Sequence, residues 1–120
     1  MPASIQHEAS DVYVLRISGT LTKSDLGGVQ DYAAREIKNG AKPRILVMLE
    51  DFEGFERGAA WGELEFLFTH INDITKIAIV GSPRWEADAL AFAGVGSRRA
   101  PVKYFSPAKS EEAWDWLEQK

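Results

Sequence analysis

The sequence predicts an α/β fold: a mixed, mostly parallel five-stranded sheet with about four helices, in the order β-β-α-β-α-β-α-β-α. Three observations predict it. Short runs that are apolar on both faces, 44–49 and 76–80, have the length of strands buried inside a parallel sheet. Stretches with apolar residues at helical spacing lie between them. Glycine, proline and capping residues punctuate each change of pattern. No repeat, linker or low-complexity stretch interrupts residues 1–120, so a single domain is expected.

The first strand is expected at 4–8 and the second at 12–18, where β-branched residues alternate. Ala9-Ser10-Asp11 is turn chemistry, which makes this pair an antiparallel hairpin at one edge. Gly19 closes the second strand. Thr22 with Asp25 then reads as a helix N-cap followed by an acidic first turn. Leu26, Val29, Ala33 and Ile37 repeat along that helix, and Asn39-Gly40 stops it. Residues 44–49 form the third strand. An acidic loop is expected at 50–56, carrying Phe52, Gly54 and Phe55 among its carboxylates.

A helix is expected over 57–72, with Ala60, Leu64, Leu67, Phe68 and Ile71 on one face. The fourth strand is 76–80. Ser82 and Pro83 then read as the cap and first position of a helix reaching Ala93. Polar residues 97–101 lead to a short fifth strand at 102–105. Ser106-Pro107, or Ser110 with its acids, starts a last helix. Ala113 and Leu117 pack that helix, with Trp114 and Trp116 at its flanks.

Composition narrows the function. Net charge is −4, and the two halves of the chain carry equal numbers of basic and of acidic residues. With no basic face, nucleic acid is not an expected partner. There is no cysteine, which removes disulfide and thiolate chemistry and fits a reducing cytoplasm. No purely apolar run exceeds five residues, the length of 45–49, far short of a membrane span. No secretory signal pattern is present at the N-terminus, and a cytoplasmic location is expected.

Chemistry-bearing residues are sparse. Glu50, Asp51, Glu53 and Glu56 offer clustered oxygen ligands at the C-terminal end of a parallel strand, where α/β sheets commonly place sites. Their spacing matches no calcium loop, and a solvated loop with inward phenylalanines is the simpler reading. His7 and His70 stand far apart with no cysteine, so no zinc site is expected. Ser82 lacks the Gly-x-Ser-x-Gly setting of a reactive serine and reads as a cap. Gly94-Val95-Gly96 follows a helix rather than opening one, unlike a dinucleotide fingerprint. No catalytic residue, metal or cofactor is expected, and the chain reads as a non-enzyme.

What remains is a surplus of apolar side chains. The helix at 57–72 carries Phe66 off its core stripe. The helix at 83–93 sets Leu90 on one face and Trp85, Ala89 and Phe92 on another. A helix needs one apolar stripe to dock on a sheet, and a second stripe needs a partner of its own. The simpler reading has Phe66 packing against Trp85 or Phe92. The functional reading has Phe55, Trp61, Phe66, Trp85, Ala89 and Phe92 lining a cleft between these helices for a small apolar ligand. Arg84 or Arg98 would then meet a polar head.

The element order, the strand Lys76-Ile77-Ala78-Ile79-Val80-Gly81 leading to Trp85, and the ending Val102-Lys103-Tyr104-Phe105 with Glu112-Ala113-Trp114-Asp115-Trp116-Leu117 resemble the STAS superfamily. More narrowly they are similar to its SpoIIAA-like branch, over nearly the whole chain. That resemblance implies a fold similar to CRAL-TRIO lipid-binding domains, with open and closed helix arrangements, a lipid-like ligand and peripheral membrane contact. The better-known STAS members are anti-sigma-factor antagonists with a phosphorylatable serine in an Asp-Ser-Ser/Thr-Gly turn. Here the region reads Phe55-Glu56-Arg57-Gly58, and no Ser or Thr lies between Leu49 and Phe68. The phospho-switch is therefore absent from the sequence, with a fixed charge near Glu56 in its place. The alternative function is a STAS-type regulatory module that binds a protein partner through residues 50–56 without phosphorylation.

Overall fold

A computed structural model describes residues 3–9, 11–55, 74–87 and 101–119. The elements are β1 (Ala3–Ala9), β2 (Val12–Leu21), α1 (Lys23–Lys38), β3 (Arg44–Phe55), β4 (Lys76–Val80), a 3-10 turn at Pro83–Trp85, β5 (Val102–Phe105), a second 3-10 turn at Pro107–Lys109, and α2 (Ser110–Glu118). The strands form one sheet in the order β1-β2-β3-β4-β5. β1 pairs antiparallel with β2, and every other pair is parallel. The expected mixed five-stranded sheet is present. Two helices fall among the described residues. The helix expected at 57–72 lies outside them, and so does most of the one expected at 83–93.

Local chemistry sets the boundaries. Thr22 caps α1: its hydroxyl accepts from the Asp25 amide at 3.1 Å and donates to the Asp25 carboxylate at 2.6 Å. Asn39 and Gly40 end the helix by donating back to the carbonyls of Arg35, Glu36 and Ile37. The carbonyls at the end of α2 meet two cations that are register partners on adjacent strands, Arg44 and Lys76. The Arg44 guanidinium donates to the Leu117 carbonyl at 3.0 Å, and the Lys76 ammonium donates to those of Trp116 and Gln119. Desolvation, and then the charge of Arg44, lowers the Lys76 pKa.

Two cores lie on opposite faces of the sheet. On the α1 face, Leu15, Ile17, Leu21, Ile45, Phe52, Ile77 and Ile79 pack with Val29 of α1. On the other, Ala113 and Leu117 of α2 sit fully buried over Val12, Val14, Leu46, Ala78, Val80 and Phe105. Trp114 and Trp116 flank that core half-buried, as the sequence predicts. Edge strand β1 sends Ala3 and Ile5 to the α1 face and exposes Ser4, Gln6 and Glu8. His7 stacks on Tyr13 at 4.4 Å. His70 lies outside the described residues.

Two expectations need correction. Gly19 does not close β2, and residues 50–55 are not a loop. Both strands continue side by side, with Gly19 opposite Phe52, Thr20 opposite Gly54 and Leu21 opposite Phe55. Between Ile17 and Leu21, β2 advances less than β3 does between their partners Leu49 and Phe55, so β3 holds two bulged residues. Asp51 (φ 52°) and Gly54 (φ 125°) have the left-handed backbone that such irregularities use. The first bulge also resets parity. Strict alternation from Leu49 would send Phe52 to the α2 face, whereas it is buried in the core under α1. Past that bulge the chain alternates again: Asp51 and Glu53 are exposed, Phe52 and Gly54 buried.

Candidate functional site

The strand extension and the turn after β4 meet at the C-terminal rim of the parallel strands, on the α1 face. Trp85 is the centre of this rim. Its ring stands edge-on to Phe52, with centroids 5.0 Å apart and planes at 73°. The tip of the indole lies over Gly54, where an added Cβ would come within 3.4 Å of Trp85 Cη2. Phe52 is nearly buried and Trp85 is half-buried against the same core. The Arg84 guanidinium sits 4.7 Å from the Trp85 ring centre, at cation–π distance, and Arg84 is otherwise exposed. Trp85 thus presents one side to the sheet and carries a cation on its ring.

The turn that delivers Trp85 is fixed at its start. The Gly81 amide donates to the Phe105 carbonyl and the Trp85 amide to the Ser82 carbonyl, each at 3.0 Å. The Tyr104 hydroxyl donates to that same Ser82 carbonyl at 2.6 Å. Gly81 has no room for a side chain: a Cβ there would lie 2.6 Å from Tyr104 Oη and 2.9 Å from Leu49 Cδ1. Pro83 opens the turn as expected, but the Ser82 side chain makes no cap hydrogen bond and the segment begins as a 3-10 turn. Burial, and then the Glu86 carboxylate, raises the Tyr104 pKa. The hydroxyl therefore stays a donor through the neutral range.

The carboxylates at this rim turn outward. Glu50 pairs with Arg16 at 3.5 Å, both side chains about half exposed at 52% and 50%. Among the described residues no group of three His, Asp or Glu side chains is placed to hold a metal ion. Nor is any described helix long and apolar enough to cross a membrane.

Of the residues singled out in the sequence, Trp85 and Arg84 are brought together at this rim. Phe55 ends β3 opposite Leu21 in backbone register. Glu56, Trp61, Phe66, Ala89, Phe92 and Arg98 lie outside the described residues. Sequence reasoning set Trp85 facing a neighbouring helix, which lies outside the described residues; among the described residues its ring meets Phe52 and Gly54 of the sheet, a contact the sequence did not indicate. It also missed Gly54, Gly81 and Tyr104 as parts of the same structure. The signal for Gly54 was its place among alternating residues. None existed for Tyr104, whose reach to Ser82 depends on strand order.

Solved structures with a similar fold include an uncharacterised SpoIIAA-like protein from Shewanella loihica. It is 22% identical with a TM-score of 0.68, over 96% of this chain and 91% of that one. The anti-sigma factor antagonist SpoIIAA in its unphosphorylated form is 16% identical with a TM-score of 0.63, over 98% and 99%. The Bacillus cell fate determinant SpoIIAA in its phosphorylated form is 14% identical with a TM-score of 0.58, over 97% and 99%. At these identities the likeness concerns the fold. No curated protein matches the chain significantly. The SpoIIAA-like family model matches residues 12–118, nearly the full length, and the chain belongs to the SpoIIAA-like family.

Proposed function

We propose that this chain is a non-enzymatic cytoplasmic binding domain for a small apolar or lipid-like molecule, received at the rim that Trp85 covers. The observation that carries the reading is the half-buried Trp85 ring on Phe52 and Gly54, with the exposed Arg84 guanidinium beside it. An apolar wall with one adjacent cation suits an amphiphile with an anionic head, and the C-terminal rim of a parallel sheet is a common ligand position. The binding cleft would extend over Phe55, Trp61, Phe66, Ala89 and Phe92, with Arg98 as a second head contact, and peripheral membrane contact would follow from the same apolar surface.

Calorimetric titration with a fatty acid and with its neutral alcohol tests this. Saturable binding of both is expected. Trp85→Ala should weaken both about tenfold or more, since burial against an indole is worth roughly 1.5–3 kcal/mol. Arg84→Gln should weaken only the acid. Absence of saturable binding by either ligand removes the proposal.

A second reading is a regulatory module that binds a protein partner. It is favoured by the exposed Glu50, Asp51 and Glu53, which sit on a paired strand rather than a floppy loop. The contact would continue to Glu56. Loss of a specific partner when Glu50 and Glu53 are both changed to Lys would support it; retention would remove it.

A further inference from the structure

We propose that residues 81–87 form a latched plug, in which the Tyr104 hydroxyl holds the Ser82 carbonyl and thereby keeps the Trp85 ring seated on Phe52 and Gly54. The geometry gives each part a task. Tyr104 is fixed on β5 opposite Ile79, half-buried against the core, so its hydroxyl is a stationary post. Ser82 is the first residue beyond Gly81, whose amide is, among the described residues, the last backbone tie of this segment to the sheet. The Trp85 amide bonds the same Ser82 carbonyl, so a displacement of Ser82 is passed directly to Trp85. One carbonyl oxygen therefore joins the post to the plug.

The latch is also the part of this arrangement best placed to open. The Tyr104–Ser82 bond lies at the exposed surface, where water competes for both groups and the net worth of a hydrogen bond is small. The sheet beneath it is buried and held by continuous backbone ladders. Local opening begins where few buried contacts hold a segment. Ser82, Pro83, Arg84, Glu86 and Ala87 are exposed, and among the described residues Trp85 is the segment's apolar anchor on the core. When the plug lifts, the edge of Phe52 and the face of Gly54 that Trp85 covers are exposed together. The apolar-site reading enters only in naming what is received between the lifted Trp85 ring and Phe52, where the indole remains one wall of the site.

The test is fluorine NMR on the full chain labelled with fluorotryptophan, with the Trp85 line assigned through Trp85→Phe. Tyr104→Phe keeps the ring and removes the hydroxyl. The open population is expected to rise about two- to fivefold, the loss of one solvent-exposed hydrogen bond. The Trp85 line should shift or broaden while the Trp116 line stays put, and anilinonaphthalenesulfonate, a fluorescent apolar anion, should bind tighter by the same factor. Gly81→Ala is a second route to the same state, because its Cβ would displace the Tyr104 hydroxyl. A Trp85 line unmoved by either change overturns the latch. A moved line with no gain in probe binding supports the latch and removes the apolar-site reading instead.

Discussion

Replacing one glycine by alanine at two positions should give stability changes of opposite sign. Gly54 lies in β3 at φ 125°, a backbone region that L-residues rarely adopt. Holding alanine there costs about 1–3 kcal/mol. The new Cβ would meet Trp85 Cη2 at 3.4 Å and Cζ3 at 3.7 Å, ordinary contact distances, so sterics add little. Alanine also restricts the unfolded chain, which returns about 0.4–1 kcal/mol. The net expectation for Gly54→Ala is destabilisation by about 1–2 kcal/mol. Gly28 is exposed inside α1, with nothing within 4 Å of an added Cβ. There alanine should stabilise by about 0.5–1 kcal/mol through helix propensity alone. Urea unfolding followed by circular dichroism measures both. With a slope of about 1–3 kcal/mol/M, the two midpoints should separate by about 0.5 M or more. If Gly54→Ala matches Gly28→Ala in sign, the left-handed bulge is wrong, and with it the seat of Trp85.

Leu117→Ala should cost about 2–5 kcal/mol in the same assay, because Leu117 is 0% exposed at the centre of the α2 core and leaves a cavity. Tyr13 predicts an alkaline response. Burial, and then its hydrogen bond to Glu36, raise its pKa from 10.0 to about 12, so the native state keeps a proton that the unfolded chain loses first. Its contribution is full below about pH 10 and is lost as pH rises through about 12. The full two-unit shift would be worth about 2.7 kcal/mol, and screening at the solvent-accessible Glu36 end reduces this to about 1 kcal/mol. The stability gap between wild type and Tyr13→Phe should shrink across that window; a constant gap would contradict the assignment. Glu50→Gln should change stability by less than about 0.5 kcal/mol, since its pairing with Arg16 is half-exposed and screened.

The parts of the fold readable from sequence are those governed by local rules. Lys76–Val80 and Val102–Phe105 occur at the expected bounds because apolar runs and flanking prolines and glycines act within a few residues. Thr22 and Asn39 mark α1 for the same reason. The extension of β3 was hidden because its two bulges break the period of two, and because carboxylates dominate its composition. Only the partner strand shows that Gly19 to Leu21 keep the ladder running. Trp85 was legible as a residue of interest but not in its contact. Helical spacing treats it as one face of a helix, whereas the 3-10 turn at Pro83–Trp85 turns its ring to the sheet.

The bulge at Asp51 also separates the two proposed uses of this rim. Before it, Glu50 has the parity of Arg16, Val14 and Val12 and belongs to the α2 side of the sheet. After it, Phe52 belongs to the α1 side with Trp85. A bulge that kept parity would have put the ion pair and the aromatic pair on one surface. The observed one divides them across the thickness of the sheet. Changes on one side should therefore leave the other unmoved, since substitutions that share no partners act independently. Glu50→Gln should leave the fluorine line of Trp85 and the binding of an apolar probe at wild-type values, while Phe52→Leu, which keeps an apolar side chain, should alter both. If Glu50→Gln moves the Trp85 line, the two faces communicate through Asp51, and the strained residue itself becomes the hinge of the site.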